Sequence, residues 1–300
     1  MAIRPLTPTR RELLALGGAG AVALALAACG DDAGSASTTT LPERNLAQFF
    51  GGGPQLAAGT DARAPFGVAD SDGLLPIDKT PETLQVTLVG PDGKTVGDPV
   101  SVDRHAKGLP QAYYPLVFKV ATAGIYSART TIDGVATEMK IKVDAPADLA
   151  VVQPGEAMPS IVTPTTTNAA GVDPICTDDP VCNLHTVSLD AALKAKKPIA
   201  LLVSTPKFCQ VKMCGPVLSI LRGQTKAYPG VQFIHTEVYA HPETDPNLTD
   251  QAPIIAALGL HFEPCLVLVH ADGTIAQRLD NIFDEDELVE ALGRLTATSQ

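Results

Sequence analysis

The sequence predicts an all-β sandwich followed by an α/β domain, and three observations lead there. Between about residues 61 and 143, short alternating or apolar runs are punctuated by Gly, Pro and Asp turns, without a cysteine. After residue 183, helix-like and strand-like patterns alternate, and one strand is too continuously apolar to be exposed. Between them, residues 146–174 are rich in proline, threonine and small residues with little periodicity, which reads as a semi-extended linker.

The chain starts with an export pattern. Arg4, Arg10 and Arg11 precede an uncharged apolar run from Leu13 to Ala28. That run is short for a membrane span and typical of a secretory signal. Arg10-Arg11 resembles a twin-arginine signal, or serves as an ordinary basic leader. Leu26-Ala27-Ala28-Cys29 resembles a bacterial lipobox, which implies cleavage before Cys29, its lipidation and a membrane anchor. The Gly-, Ser- and Thr-rich run after Cys29 suits a flexible tether. The expected organisation is a signal at 1–28, a tether at 29–60, a sandwich at 61–145, a linker at 146–182 and an α/β domain at 183–298. The expected location is the outer face of the cell membrane, where disulfides persist. Loss of residues 1–28 removes three arginines and one glutamate, taking the formal charge of −11 further negative. So acidic a body argues against nucleic acid as a partner.

In the first domain the strands are expected at PFGVADSDG, LQVTLVG, PVSVD, YYPLVFKV, IYSARTTI and TEMKIKV, with NLAQFFGGGPQLAAG packing beside the first. Pro91-Asp92-Gly93-Lys94 and Ile132-Asp133-Gly134-Val135 suit hairpin turns. ATAGIYSART resembles the tyrosine corner of immunoglobulin-like sandwiches, with Tyr126 as the corner residue. That resemblance implies a fold and no chemistry.

In the second domain Ser188 begins a short helix, and Pro198 to Val203 forms a buried parallel strand. A helix from about Gly215 to Lys226, the strand VQFIHTEV and a helical piece at APIIAALGL follow. Then come a strand from Cys265 to His270, the turn Asp272-Gly273 and a strand from Thr274 to Leu279. The last helix has Asp284 as N-cap, with Glu287 completing a capping box and Phe283 stapling onto Leu288. Leu288, Val289, Leu292 and Leu295 form its apolar face.

Chemistry concentrates in STPKFCQVKMCGPVLSIL, where Cys209 and Cys214 lie between an apolar strand and an apolar helix. A thiolate is favoured at a helix start by unpaired N–H groups and the positive end of the dipole. With the element order and the Pro264 that leads the next strand, this region resembles thioredoxin over about residues 185–298. The resemblance implies that Pro264 is a cis-proline facing the dithiol, and that Pro264 and Glu263 line a groove for substrate backbone. The cysteines enclose four residues where thioredoxin has two. Counting from the strand makes Cys209 the attacking thiol and Cys214 the resolving one, whereas matching Cys214-Gly215-Pro216 to the family's letters puts Cys214 first. Glu263 also departs from the family, and a carboxylate beside a thiol is expected to raise its pKa and slow its attack.

Three functions stay open for the pair. The first is thiol–disulfide exchange on the thiols or disulfides of exported proteins. The second is an inert staple in a redox-inactive binding or scaffold module. The third is Cu(I) binding as in copper chaperones of this fold, with His235, His261 or His270 as a further ligand. Cys176 and Cys182 are expected to form a structural disulfide, and Cys265 is left as a buried thiol or a partner for exchange. No cofactor is called for, and no metal ligands are assigned.

Overall fold

The structure, a computed structural model, describes residues 43–49 and 55–297. The signal, the lipobox and Cys29 lie outside the described residues. The described residues fall in one compact unit.

The N-terminal part holds two four-stranded sheets. One contains β1 (Asn45–Gln48), β2 (Asp61–Asp70) and β3 (Gly73–Leu74). The other contains β4 (Thr83–Val89) and β5 (Val100–Asp103). The first sheet gains β6 (Tyr114–Lys119), paired to β2; the second gains β7 (Gly124–Ile132) and β8 (Val135–Val143), in the order β5-β4-β7-β8. All pairings are antiparallel. Alternation puts Leu84, Val86, Leu88, Ala128 and Ile141 from one sheet against Ala64, Phe66, Val68, Leu116 and Phe118 from the other in one buried cluster. The β7–β8 hairpin turns through Asp133 and Gly134, at φ 51° and 83°, and two positive φ values are what a two-residue type I′ turn needs. The Tyr126 hydroxyl donates to the Thr122 carbonyl at 2.8 Å, tying the start of β7 to the chain before it. The tether expected at 29–60 ends early: β1 pairs with β2, and Leu56 and Ala57 are buried. Burial of Leu46, Leu56 and Ala57 on the sandwich outweighs the flexibility that the flanking glycines suggest.

The C-terminal part is a mixed sheet between helices. Its elements run α1 (Leu189–Lys194), β9 (Ile199–Val203), α2 (Cys214–Gln224), β10 (Gln232–Thr236), α3 (Pro253–Leu258), β11 (Cys265–Val269), β12 (Ile275–Asp280) and α4 (Glu285–Ala297). The strand order is β10-β9-β11-β12, with β10 parallel to β9 and the other pairs antiparallel. Every residue of β9 and β11 is buried, because both faces are covered. On one face Ala200, Leu202, Leu266 and Leu268 meet Val217, Leu218 and Leu221 of α2 and Leu288 and Leu292 of α4. On the other, Leu201, Val203, Cys265 and Val267 meet Leu189 of α1 and Ile254, Ile255 and Leu258 of α3. Val289, expected on the apolar face of α4, is exposed, and Ala291 takes its place inward.

The stretch 146–174 is not a free linker. Val151, Val152, Met158 and Val172 are buried against the second face of the sheet. Its backbone bonds to that layer through Val152 N–H to Leu258 O, Gly155 N–H to Ile275 O and Met158 N–H to Gly273 O. A segment without periodicity can still bury its few apolar residues when distant segments of the same chain satisfy its peptide groups.

The N-terminal sheets are joined to α4 by buried polar contacts. Arg63, on the face of β2 turned away from the sandwich core, donates to Glu287 through Nε at 2.5 Å and Nη2 at 2.7 Å, and to the carbonyls of Asp280 and Ile282. The Tyr113 hydroxyl donates to Glu287 Oε2 and accepts from the Asp284 N–H. Asp284 accepts from Glu287 N–H at 2.9 Å, as an N-cap should, and from the Ala106 and Lys107 N–H groups. The capping box is therefore half made, because the Glu287 carboxylate turns to Arg63 and Tyr113 instead of back to Asp284.

Candidate functional site

β9 ends at Val203, and the chain runs through Ser204 and Thr205 into a 3-10 turn, Pro206–Phe208, that delivers Cys209. The loop then reverses through Lys212, at φ 59°, and α2 begins on Cys214. Cys209 and Cys214 are joined by a disulfide with Cα atoms 6.0 Å apart. Cys209 is partly exposed, whereas Cys214, the first residue of α2, is fully buried. The Cys214 N–H points at Cys209 Sγ from 3.3 Å. A helix start thus presents a donor and its positive end to the accessible sulfur, where a thiolate on Cys209 would be stabilised once the bond opens.

Glu263 stands beside the buried sulfur, and Pro264 follows it at the start of β11. The Glu263–Pro264 peptide is cis, and Asn281 N–H donates to the Pro264 carbonyl. Glu263 Oε2 accepts from Thr205 N–H at 2.9 Å and lies 3.4 Å from Cys214 Sγ; Glu263 Oε1 is buried without a hydrogen-bond partner. Burial pushes the carboxyl up to about 7, against the smaller opposing pull of the Thr205 N–H. The same carboxylate lies within 4.8 Å of Cys209 Sγ as well, so it stands beside both sulfurs, and once ionised it opposes a thiolate on either, as expected of a carboxylate at the dithiol. Beside them is a groove of ≈ 160 Å³ lined by Gln210, Val211, Tyr239, Phe262 and Glu263.

Two of the three remaining described cysteines depart from expectation. Cys176 and Cys182 are free thiols, not a disulfide. Both sulfurs are turned to imidazole nitrogens: Cys182 Sγ lies 3.3 Å from His185 Nε2 and 3.5 Å from His235 Nδ1, and Cys176 Sγ lies 3.7 Å from His235 Nδ1. The hydrogen bond between the two thiols pulls the Cys176 pKa down and pushes that of Cys182 up. Adjacent to them, burial pushes Glu237 up to about 8 even though Thr177 donates to it. The copper reading needed a histidine at the dithiol; His235 instead belongs to the Cys176–Cys182 group, and only Glu263 joins Cys209 and Cys214 among the described residues. Cys265 is buried on the opposite face of the sheet from α2, 3.4 Å from Asp280 Oδ1, and burial raises its pKa well above the ordinary thiol value. It is placed as a core thiol and not for exchange. His185 joins this group without having been expected there, and the spacing Cys182-x-x-His185 is the one local signal for it.

No family model matches the chain, and no curated protein matches it. Among solved structures, one described as DsbH Oxidoreductase is similar at 16% identity over 35% of this chain and 80% of that one, with a TM-score of 0.24. Another, described as ZirS C-terminal Domain, is similar at 10% identity over 47% of this chain and 94% of that one, with a TM-score of 0.21. Likeness at this level assigns neither a fold family nor an activity to the chain.

Proposed function

We propose that the chain is a thioredoxin-like thiol–disulfide exchange protein that acts on exported proteins, with an immunoglobulin-like sandwich beside its active site and a lipid anchor at Cys29. The observation that carries the reading is the asymmetry of the pair. Cys209 is reachable and held at a helix start, while Cys214 is buried beside a carboxyl poised near neutrality. The strand order β10-β9-β11-β12, with one parallel and two antiparallel pairs, and a proline just before β11 support the thioredoxin-like assignment. The Tyr126–Thr122 bond supports the immunoglobulin-like one. The location rests on the export pattern of the sequence.

In the reduced protein, the Cys209 thiolate attacks one sulfur of a substrate disulfide. A mixed disulfide forms, and the other substrate sulfur leaves as a thiolate. Glu263 takes the proton of Cys214, whose thiolate then attacks Cys209 Sγ; the internal disulfide closes and the second substrate thiolate departs. A substrate dithiol runs the sequence backwards. Pro264 and the adjoining groove would seat the substrate backbone.

The test is a redox titration of the full chain together with trapping by Cys214→Ser. Exchange activity predicts reversible opening between about −270 and −180 mV, and a mixed disulfide of substrate with Cys209 in the variant. A pair that stays closed below about −300 mV and traps nothing would identify a redox-inactive binding module instead.

A further inference from the structure

We propose that Cys176, Cys182, His185 and His235 form a four-ligand site for a tetrahedral divalent cation, zinc, separate from the dithiol. The four ligand atoms lie within 4.8 Å of one another, and all four residues are buried. Tetrahedral zinc, with bonds of about 2.3 Å to sulfur and about 2.05 Å to nitrogen, sets sulfur–nitrogen separations of about 3.5 Å and nitrogen–nitrogen separations of about 3.3 Å. Three of the four sulfur–nitrogen distances here are 3.3, 3.5 and 3.7 Å, and His235 Nδ1 lies 3.4 Å from His185 Nε2.

A hydrogen-bond network explains this convergence less well. His235 Nε2 lies 3.0 Å from the Ser204 carbonyl, an acceptor only, so Nε2 carries the proton and Nδ1 presents a lone pair. Three atoms, Cys176 Sγ, Cys182 Sγ and His185 Nε2, converge on that nitrogen, and its lone pair can accept from one. A central cation accommodates all four donors. Two thiolates and two neutral imidazoles balance a divalent charge, which suits a buried site, whereas a monovalent ion would leave a net negative charge there. With four protein ligands the site is closed and therefore structural: it would clamp the 176–185 segment onto β10.

The test uses the full chain, reduced with a non-chelating phosphine, and Co²⁺ as the spectroscopic probe. One equivalent of Co²⁺ should give tetrahedral d–d bands and thiolate-to-cobalt charge transfer, and zinc should displace it. Cys182→Ser and His235→Gln should each weaken binding by more than about 100-fold, while the Cys209→Ser/Cys214→Ser double variant keeps the full spectrum. X-ray absorption on the unmutated zinc protein reads the site without any variant and should show two sulfur and two nitrogen neighbours. The proposal is overturned if the reduced chain binds neither metal, or if binding survives Cys182→Ser or follows the dithiol. Recovery of a Cys176–Cys182 disulfide from protein isolated without reductant also overturns it.

Discussion

Glu263 Oε2 lies 3.4 Å from Cys214 Sγ, although 49 residues separate the two in sequence. The contact exists because β11 pairs with β9, Cys265 opposite Val203, which sets the two residues before β11 against the loop after β9. Thr205, at the head of that loop, donates its N–H to the same carboxylate oxygen. A buried acid with its pKa raised to about 7 can take or return a proton at neutral pH, which is what a buried resolving thiol requires.

Glu263→Gln should therefore slow closure of the internal disulfide from the mixed disulfide, by roughly 10²-fold, and should remove the inflection near pH 7 from its pH–rate profile. In the unmutated protein that rate rises with pH as the carboxyl ionises. The folded pKa lies above the ordinary carboxyl value, so the contribution of this group to stability is complete below pH 4.5 and lost as pH rises through about 7. Glu263→Gln should flatten that decline in urea titrations. Stopped-flow measurement of the resolution step across pH 5 to 9 checks the kinetic half; an unchanged inflection in the variant would assign the proton transfer to another group.

Arg63 and Glu287 are both largely buried, and Arg63 binds two carbonyls as well as the carboxylate. Arg63→Met should cost about 3–5 kcal/mol, since it strands a buried carboxylate. Adding Glu287→Leu should recover part of that loss. Urea unfolding of the single and double variants measures both, and a cost below about 1 kcal/mol for Arg63→Met would mean that water readily reaches this seam.

Gly259 ends α3 at φ 62°, and a Cβ there would stand 2.1 Å from the Ala150 carbonyl oxygen. Gly259→Ala should cost about 2–4 kcal/mol from left-handed strain and overpacking together. Gly223→Ala, at an exposed helical position where a Cβ meets nothing within 4 Å, should gain up to about 1 kcal/mol. Opposite shifts in thermal melting are the expected outcome; a neutral Gly259→Ala would show that the 146–174 segment can lift from the sheet.

Local patterns were legible where their partners are near in sequence. The Asp133-Gly134 turn, the Asp284 cap and the apolar strands of β9 and β11 occupy the places their residues specify. Glu287 shows the limit: its spacing from Asp284 matches a capping box, yet its carboxylate is taken by Arg63, which lies 224 residues away. The 146–174 stretch misled for the same reason, since its peptide groups find partners in α3 and β12 that no local window contains.

By itself the sequence determined the strand and helix periodicities, the Cys209–Cys214 spacing and the proline before β11, because each depends on residues a few positions apart. Only the tertiary structure decided what those groups face. It set Glu263 on the buried sulfur of the pair. It also turned Cys176 and Cys182 away from a mutual bond and toward His185 and His235, the latter more than fifty residues beyond both cysteines. The physical reason is that sheet register and packing of the covering layers, not chain proximity, determine which buried polar groups must satisfy one another.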